Sequence, residues 1–256
     1  MPKKPDISVS IISFNEEKNI GRTLKSVAPL AAEIILVDSR STDSTVAIAE
    51  SFGAKVFVED WKGHIAQKNS ALQKCSCEWV LSLDCDEEIT PELASEIEKA
   101  LENPKADGYF INRRTFYLGK LMKGAWQPDL KLRLVKRSAE PHWTGIDPHD
   151  ALKIKGSTSS ISGDLIHYSY AGIEHHFRKT IDYARISAES YFKLGRKFSL
   201  FKFLLNPPAA FIRLFFLNRG YKDGIRGVIA AFSSMVGTFL KYAFLFDLER
   251  NTENEF

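Results

Sequence analysis

The sequence predicts an α/β protein built on a mostly parallel, doubly wound sheet. Two observations predict it. Short apolar runs of strand length alternate with helical patterns through the first hundred residues, a β-α-β-α-β-α-β order that closes into a parallel sheet. Several of those runs also stop abruptly in polar or acidic residues, at the strand ends where open α/β sheets place their ligands.

Ile7-Ser8-Val9-Ser10-Ile11-Ile12-Ser13-Phe14 reads as the first buried strand, and Ile20, Leu24 and Val27 mark one face of the helix after it. Glu33 to Asp38 is a second strand that ends in an acid. Ser39 to Ser44 is turn chemistry that caps a second helix, whose apolar face carries Val46, Ile48, Ala49 and Phe52, and Gly53 ends that helix. Ala54 to Val58 is a third strand, and His64 to Leu72 a third helix. Trp79-Val80-Leu81-Ser82-Leu83 then reads as a strand buried on both faces.

That strand runs into Asp84-Cys85-Asp86-Glu87-Glu88, four carboxylates in five residues. Such a cluster repels itself unless a cation sits within it. Carboxylate oxygens suit Mg²⁺ or Mn²⁺, ions that usually also hold substrate phosphates. An Asp-x-Asp metal-diphosphate site is one reading. The other is an acidic lead into a helix that Thr90 caps and Pro91 begins. In a parallel sheet, Glu16, Asp38, Asp84 and Asp86 all fall on one rim, a geometry suited to a nucleotide. Asp38 can accept a uracil imide N–H or a ribose hydroxyl, or it can cap the following helix. No Gly-x-Gly-x-x-Gly follows a strand and no Walker A sequence is present, which disfavours dinucleotide and P-loop enzymes.

Composition narrows the class. The chain has 256 residues, 44% of them hydrophobic, enough for a substantial core. A net charge of +3 gives no sign of a nucleic-acid partner. Met1 to Asp6 has no apolar core of signal-peptide length, so secretion is not expected. Cys75, Cys77 and Cys85 fit a reducing cytoplasm, and Cys75-x-Cys77 is too tight for a zinc knuckle.

Ile11 to Glu17, Ile35 to Ser39 with Thr42 to Thr45, Gln67-Lys68-Asn69, and Leu83 to Glu87 resemble the consecutive motifs of family 2 inverting glycosyltransferases with a GT-A fold. The likeness covers residues 7 to 170. It implies a UDP-sugar donor, a divalent metal on the Asp-x-Asp motif and single-displacement transfer. On that pattern Glu16 and Asp38 hold the nucleoside, Lys68 approaches the diphosphate or base, and Asp84 and Asp86 work with Mg²⁺ or Mn²⁺. The second motif departs from the family, reading Asp38-Ser39-Arg40 in place of paired acids.

After the helix from Pro91 to Leu101 the chain supplies the expected acceptor half, residues 103–172. Strands are expected at Tyr109-Phe110-Ile111 and at Lys131 to Lys136, the latter with its charges on one face. Trp126 reads as a core residue or a sugar platform. Inverting transfer needs a base beside the acceptor hydroxyl. The resemblance points to the acid after His149, which is Asp150 here where Glu is frequent. Asp147 is the alternative. His149 is expected to orient by hydrogen bonding. His167 matches the late histidine that completes the metal shell in GT-A enzymes, with Asp84 and Asp86. His175 and His176 read as solvated or structural.

From residue 173 helices take over, in a region that mixes aromatics with Arg196, Lys197, Lys202, Arg213, Arg219, Lys222 and Arg226. A membrane span and a soluble helical cap are possible there. A membrane-surface patch with cations on anionic head groups fits best. Asp223-Gly224, the apolar stretch after it and Lys241-Tyr242-Ala243 also resemble the tail of lipopolysaccharide-core β-1,4-glucosyltransferases. The expected organisation is a catalytic domain at 1–172, with its nucleotide-sugar half at 1–102, and a helical extension at 173–256. The expected activity is transfer of a sugar, glucose on the subfamily likeness, from a UDP-sugar to a lipid-linked acceptor such as the lipopolysaccharide inner core. The site is expected to be cytoplasmic, at the inner face of the membrane. A different polysaccharide or lipid-carrier acceptor, or a nucleotidyltransferase, is the alternative.

Overall fold

In the computed structural model, which describes residues 5–146 and 149–253, the chain folds into two compact units. The first comprises residues up to 114 together with 129–167, and the second residues 115–128 with the chain from 168 onward.

The first unit holds the expected alternation. β1 (Ile7–Ser13), β2 (Glu33–Asp38), β3 (Lys55–Val58) and β4 (Trp79–Asp84) are parallel. They are joined by α1 (Ile20–Val27), α2 (Thr45–Ser51) and α3 (His64–Gln73). Antiparallel strands extend the sheet beyond β4. β8 (Leu130–Lys136) pairs β4, and β6 (Gly108–Tyr117) pairs β8. β11 (Thr158–His167) pairs β5 (Glu87–Ile89). The strand order is β3-β2-β1-β4-β8-β6-β11-β5, with the two-residue β7 (Lys120–Leu121) attached to β6. β9 (His142–Ile146) and β10 (His149–Lys153) form a separate antiparallel pair.

The sheet is covered on both faces, as alternation along each strand requires. Leu81 and Leu83 of β4 and Ile34 and Leu36 of β2 join one core with Ile20, Leu24 and Val27 of α1 and Leu93 and Ile97 of α4 (Pro91–Glu102). Val80 and Ile35 point the other way, into a second core with Leu72, Cys75, Trp143 and Leu152. Thr90 caps α4 as expected, its hydroxyl accepting the Leu93 N–H at 3.2 Å.

Two local expectations are corrected. Phe52 does not join the α2 core face; it is exposed, and Thr45 and Ala49 are the buried residues. Within the Ser39–Ser44 turn the capping side chain is Asp43, which accepts the Thr45 N–H at 3.0 Å and the Glu17 N–H at 3.1 Å. Glu87 and Glu88 do not simply lead into α4; they form β5, because their backbone finds a partner in β11.

The second unit is helical: α5 (Ile173–Lys193), α6 (Leu200–Ile212), a π-helical turn at Arg213–Leu217 and α7 (Ile225–Glu253). Tyr117, Met122 and Ala125 pack with Leu214, Ala230 and Ala231 in its core. Asp223 accepts the N–H groups of Lys123, Gly124 and Ala125 at 2.6, 3.0 and 2.7 Å. Any Cβ at Gly124 would overlap the Arg219 carbonyl, so only glycine allows this approach. Leu200–Leu217 and Ile225–Asn251 are long and apolar enough to cross a bilayer. Trp126 sits among Tyr117, Tyr170 and His176, a packed aromatic cluster.

Candidate active site

Parallel pairing places three strand ends on one rim. Ser13 is in register with Asp38, and Ile12 with Asp84. Asp38 is 1% exposed. Its carboxylate accepts the Ser13 hydroxyl at 2.7 Å, the Ser41 N–H at 2.7 Å and the Ser41 hydroxyl at 2.6 Å. A carboxylate has about four acceptor positions, so the turn-tying role leaves room for one more donor. Glu16 accepts the Asn19 amide at 2.8 Å, and its backbone N–H is held by Thr45 at 2.7 Å.

Lys68, on α3, joins two acids far apart in sequence. Its ammonium lies 3.0 Å from Asp84 Oδ1 and 2.7 Å from Asp150 Oδ2, and 4.3 Å from the centre of the Trp143 ring. The β9–β10 hairpin that carries Asp150 is fastened to α3 by Asn69. The Asn69 side chain donates to the Trp143 carbonyl at 2.9 Å and accepts its N–H at 2.8 Å. The expected motif residues Gln67, Lys68 and Asn69 therefore aim one helix turn at both the rim and the hairpin. Asp147 lies outside the described residues, as does the side chain of His149.

The sequence reading missed Arg133. The alternation of β8 put its charges on one face without marking any of them as buried, yet Arg133 is 3% exposed. It bridges Asp84 at 2.9 Å and the fully buried Glu87 at 2.5 Å. Arg113 completes the network, 3.4 Å from Glu87 and 2.8 Å from Asp129. Burial alone would push the Asp84 carboxyl up, but Lys68, Arg133 and Arg113 outweigh it and hold Asp84 well below the usual carboxylate range. Burial likewise works against the charge on Lys68 and Arg133, and the acids beside them reverse that effect and raise both. Several buried polar atoms here have no hydrogen-bond partner among the described residues: both amide atoms of Gln67, Nε and Nη1 of Arg133, and the Trp143 indole N–H. Buried donors and acceptors are rarely left so, and they suit a polar ligand.

Asp86 and His167 also converge, with Asp86 Oδ2 3.3 Å from His167 Nε2 and each side chain partly open to solvent. Among the described residues no group of three His, Cys, Asp or Glu side chains could enclose a metal ion. A carboxylate with an imidazole fits a Mg²⁺ or Mn²⁺ ion whose other ligands are phosphate oxygens and water. Asp84, beside them on the rim, pairs with Lys68 and Arg133. Cys85 is buried beside these acids, and its thiol is pushed well above its ordinary range, first by burial and then by Glu16 and Asp86. That makes it inert.

The sequence profile of glycosyl transferase family 2 matches residues 8–151, more than half the chain. The chain belongs to glycosyl transferase family 2. An uncharacterized glycosyltransferase of Rickettsia typhi is 33% identical over 97% of this chain and 89% of its own length. The lipopolysaccharide core biosynthesis glycosyltransferase LpsC of Rhizobium meliloti is 28% identical over 95% of this chain and 92% of its own. The solved structure of S. aureus TarS (residues 1–349) in complex with UDP-GlcNAc superposes with a TM-score of 0.53. It covers 90% of each chain at 14% identity. The family 2 chain thus has the GT-A fold with a helical C-terminal region, and it is a glycosyltransferase.

Proposed function

We propose that this family 2 glycosyltransferase moves a sugar, glucose on the subfamily likeness, from a UDP-sugar to a lipid-linked acceptor such as the lipopolysaccharide inner core. Transfer is inverting and metal-assisted, by single displacement. The observation that carries the reading is Lys68, whose ammonium binds Asp84 at the donor rim and Asp150 on the hairpin. One cation so placed brings a strand-end acid and a candidate base into a single site.

In this reading Glu16 and Asp38 hold the nucleoside, with Gln67 offering its buried amide to the base or diphosphate. Asp86 and His167 would hold the divalent ion, with Asp84 placed to serve both ribose and metal. When bound, that ion offsets the charge that develops on a departing diphosphate. Lys68 fixes Asp150 through Oδ2. Oδ1 makes no hydrogen bond to the described residues and takes the proton from the acceptor hydroxyl. The lipopolysaccharide acceptor is supported by the name of the relative LpsC. Catalysis belongs to residues 1–172, and the helices from 173 onward face the cytoplasmic side of the inner membrane. The exposed Leu200, Phe201, Leu204 and Leu217 support that placement.

The test is a donor screen with UDP-glucose, UDP-galactose and UDP-N-acetylglucosamine in the presence of Mn²⁺ or Mg²⁺, reading released UDP and the anomeric configuration of the product. Metal-stimulated UDP release with an inverted product is expected. UDP release from none of the donors, or a retained configuration, overturns the reading.

A further inference from the structure

Between α5, α6 and α7 the second unit contains a cleft of about 340 Å³ lined by Tyr191, Arg196, Lys197, Lys202, Asn206 and Tyr242. Three of these six residues are cations and none is an acid. Arg196 stacks its guanidinium on the Tyr191 ring at 4.5 Å, and the Lys241 ammonium stands 4.8 Å from the rings of both Tyr191 and Tyr242. The Asn206 amide donates to the Tyr242 hydroxyl at 2.7 Å. Glu249 on α7 accepts the Phe198 N–H at 2.6 Å. Arg196, Lys197, Lys202 and Lys241 make no ion pair with the described residues. Cations that no carboxylate pairs repel one another, and an anion relieves that repulsion.

The surroundings say where the anion comes from. Lys202 and Asn206 lie one turn apart on α6 and face the cleft. Phe201 and Leu205, within about 100° of that stripe by helical rotation, are 73% and 49% exposed. Leu200 and Leu204 are 62% and 58% exposed beside them. One short helix therefore presents bare aliphatic and aromatic side chains next to a cationic cleft. A free anion in water has no use for the apolar part. An anionic bilayer supplies both, acyl chains for the leucines and phenylalanine and phosphate for the cations. From Arg196 to Arg226 there are seven Lys or Arg residues against Asp223 alone, and Asp223 is occupied by three backbone N–H groups.

We infer that the cleft is a headgroup site for the phosphate of an anionic glycerophospholipid, with α6 lying in the plane of the bilayer surface. The inference rests on the membrane-facing part of the proposed function and names the lipid chemistry. Arg196 supplies the planar fork suited to phosphate oxygens, Lys197 and Lys202 supply point charges, and the tyrosines close the site with amphipathic rings.

The full chain is floated with phosphatidylcholine vesicles, with and without phosphatidylglycerol. The variant Lys197→Gln/Lys202→Gln is compared with Arg213→Gln/Lys222→Gln, which removes the same charge from exposed positions that do not line the cleft. Each basic residue at an anionic surface contributes roughly fivefold in partition, so the cleft pair is expected to lose about 25-fold on phosphatidylglycerol vesicles, and the control pair clearly less. Equal losses from both pairs would mean diffuse attraction and would overturn the site. So would saturable binding of inorganic phosphate without any preference for phosphatidylglycerol vesicles. UDP release by the wild-type chain, measured without vesicles, separates the two claims. Its absence sinks the proposed transfer and leaves the flotation result to be judged alone.

Discussion

Replacing Arg133 by Met is the most informative perturbation of the sheet unit. Arg133 is 3% exposed and its Nη2 bonds both Asp84 and the fully buried Glu87. The variant leaves Glu87 with Arg113 at 3.4 Å and the Asp84 N–H at 2.9 Å. Removing one partner of a buried pair costs about 3–5 kcal/mol, because the remaining charge stays desolvated. Set against an ordinary stability of roughly 5–15 kcal/mol, that is a large fraction. With a urea m-value of about 3 kcal/mol/M for a chain of this size, the midpoint falls by roughly 1–2 M. Tryptophan fluorescence follows the transition, since Trp61, Trp79 and Trp143 all lie in this unit. Adding Glu87→Gln to Arg133→Met removes the stranded charge and recovers part of the loss. Acid adds an independent check. The Asp84 carboxyl is held below its unfolded value of about 3.9, so its contribution is present above that pH and is lost as pH falls further. Arg133→Met weakens the pairing, so the variant loses less stability than wild type between pH 5 and pH 3. A destabilisation under about 1 kcal/mol, or no recovery in the double variant, would refute the view that Arg133 carries the charge balance of this site.

Three further outcomes are expected. Asp150→Asn lowers turnover by about 10²–10⁴ while the chain still folds, with a lower urea midpoint because the Lys68 ammonium keeps only Asp84 as a carboxylate partner, and near-normal turnover would move the base elsewhere, with Asp147 next in line. Asp86→Ala and His167→Ala each reduce the enhancement of UDP binding by Mn²⁺ in calorimetry. An undiminished enhancement would remove the pair from the proposed metal site. His176 is 2% exposed and hydrogen-bonded to Tyr117 at 2.7 Å, and burial, aided by His175, lowers it to about 4. The unfolded chain therefore binds a proton between about pH 6.5 and 4 that the folded chain does not, and stability declines as pH falls through that window. His176→Gln is expected to flatten that decline by up to one proton, measured by urea titrations at either end of the window.

Much of the sheet unit was legible because its physics is local. Period-two alternation and helical spacing identify β1 to β4 and α1 to α3, and the parallel order then puts Asp38 and Asp84 on one rim. Arg133 was not legible. A charged residue in an alternating strand looks solvent-facing, and only Glu87 and Asp84 on neighbouring segments make its burial tolerable. Glu87 read as part of an acidic cluster or as a helix lead-in and not as strand, since three residues of strand carry no periodic signal and β11 supplies their pairing from more than seventy residues away. The Lys68–Asp150 contact spans 82 positions and depends on the Asn69 clasp of the hairpin. Its separate residues stood in motifs, but their meeting is a tertiary fact.

The excursion at residues 115–128 has a consequence for how this enzyme can be taken apart. Those residues leave the sheet through β6, contribute Tyr117, Met122 and Ala125 to the helical core, and lend three N–H groups to Asp223. Truncation after residue 172 would strip that detour of its apolar cover and leave three donors unanswered. A chimera that swaps in another relative's tail has to carry the detour with it, so the two halves of the polypeptide are inherited as a matched set.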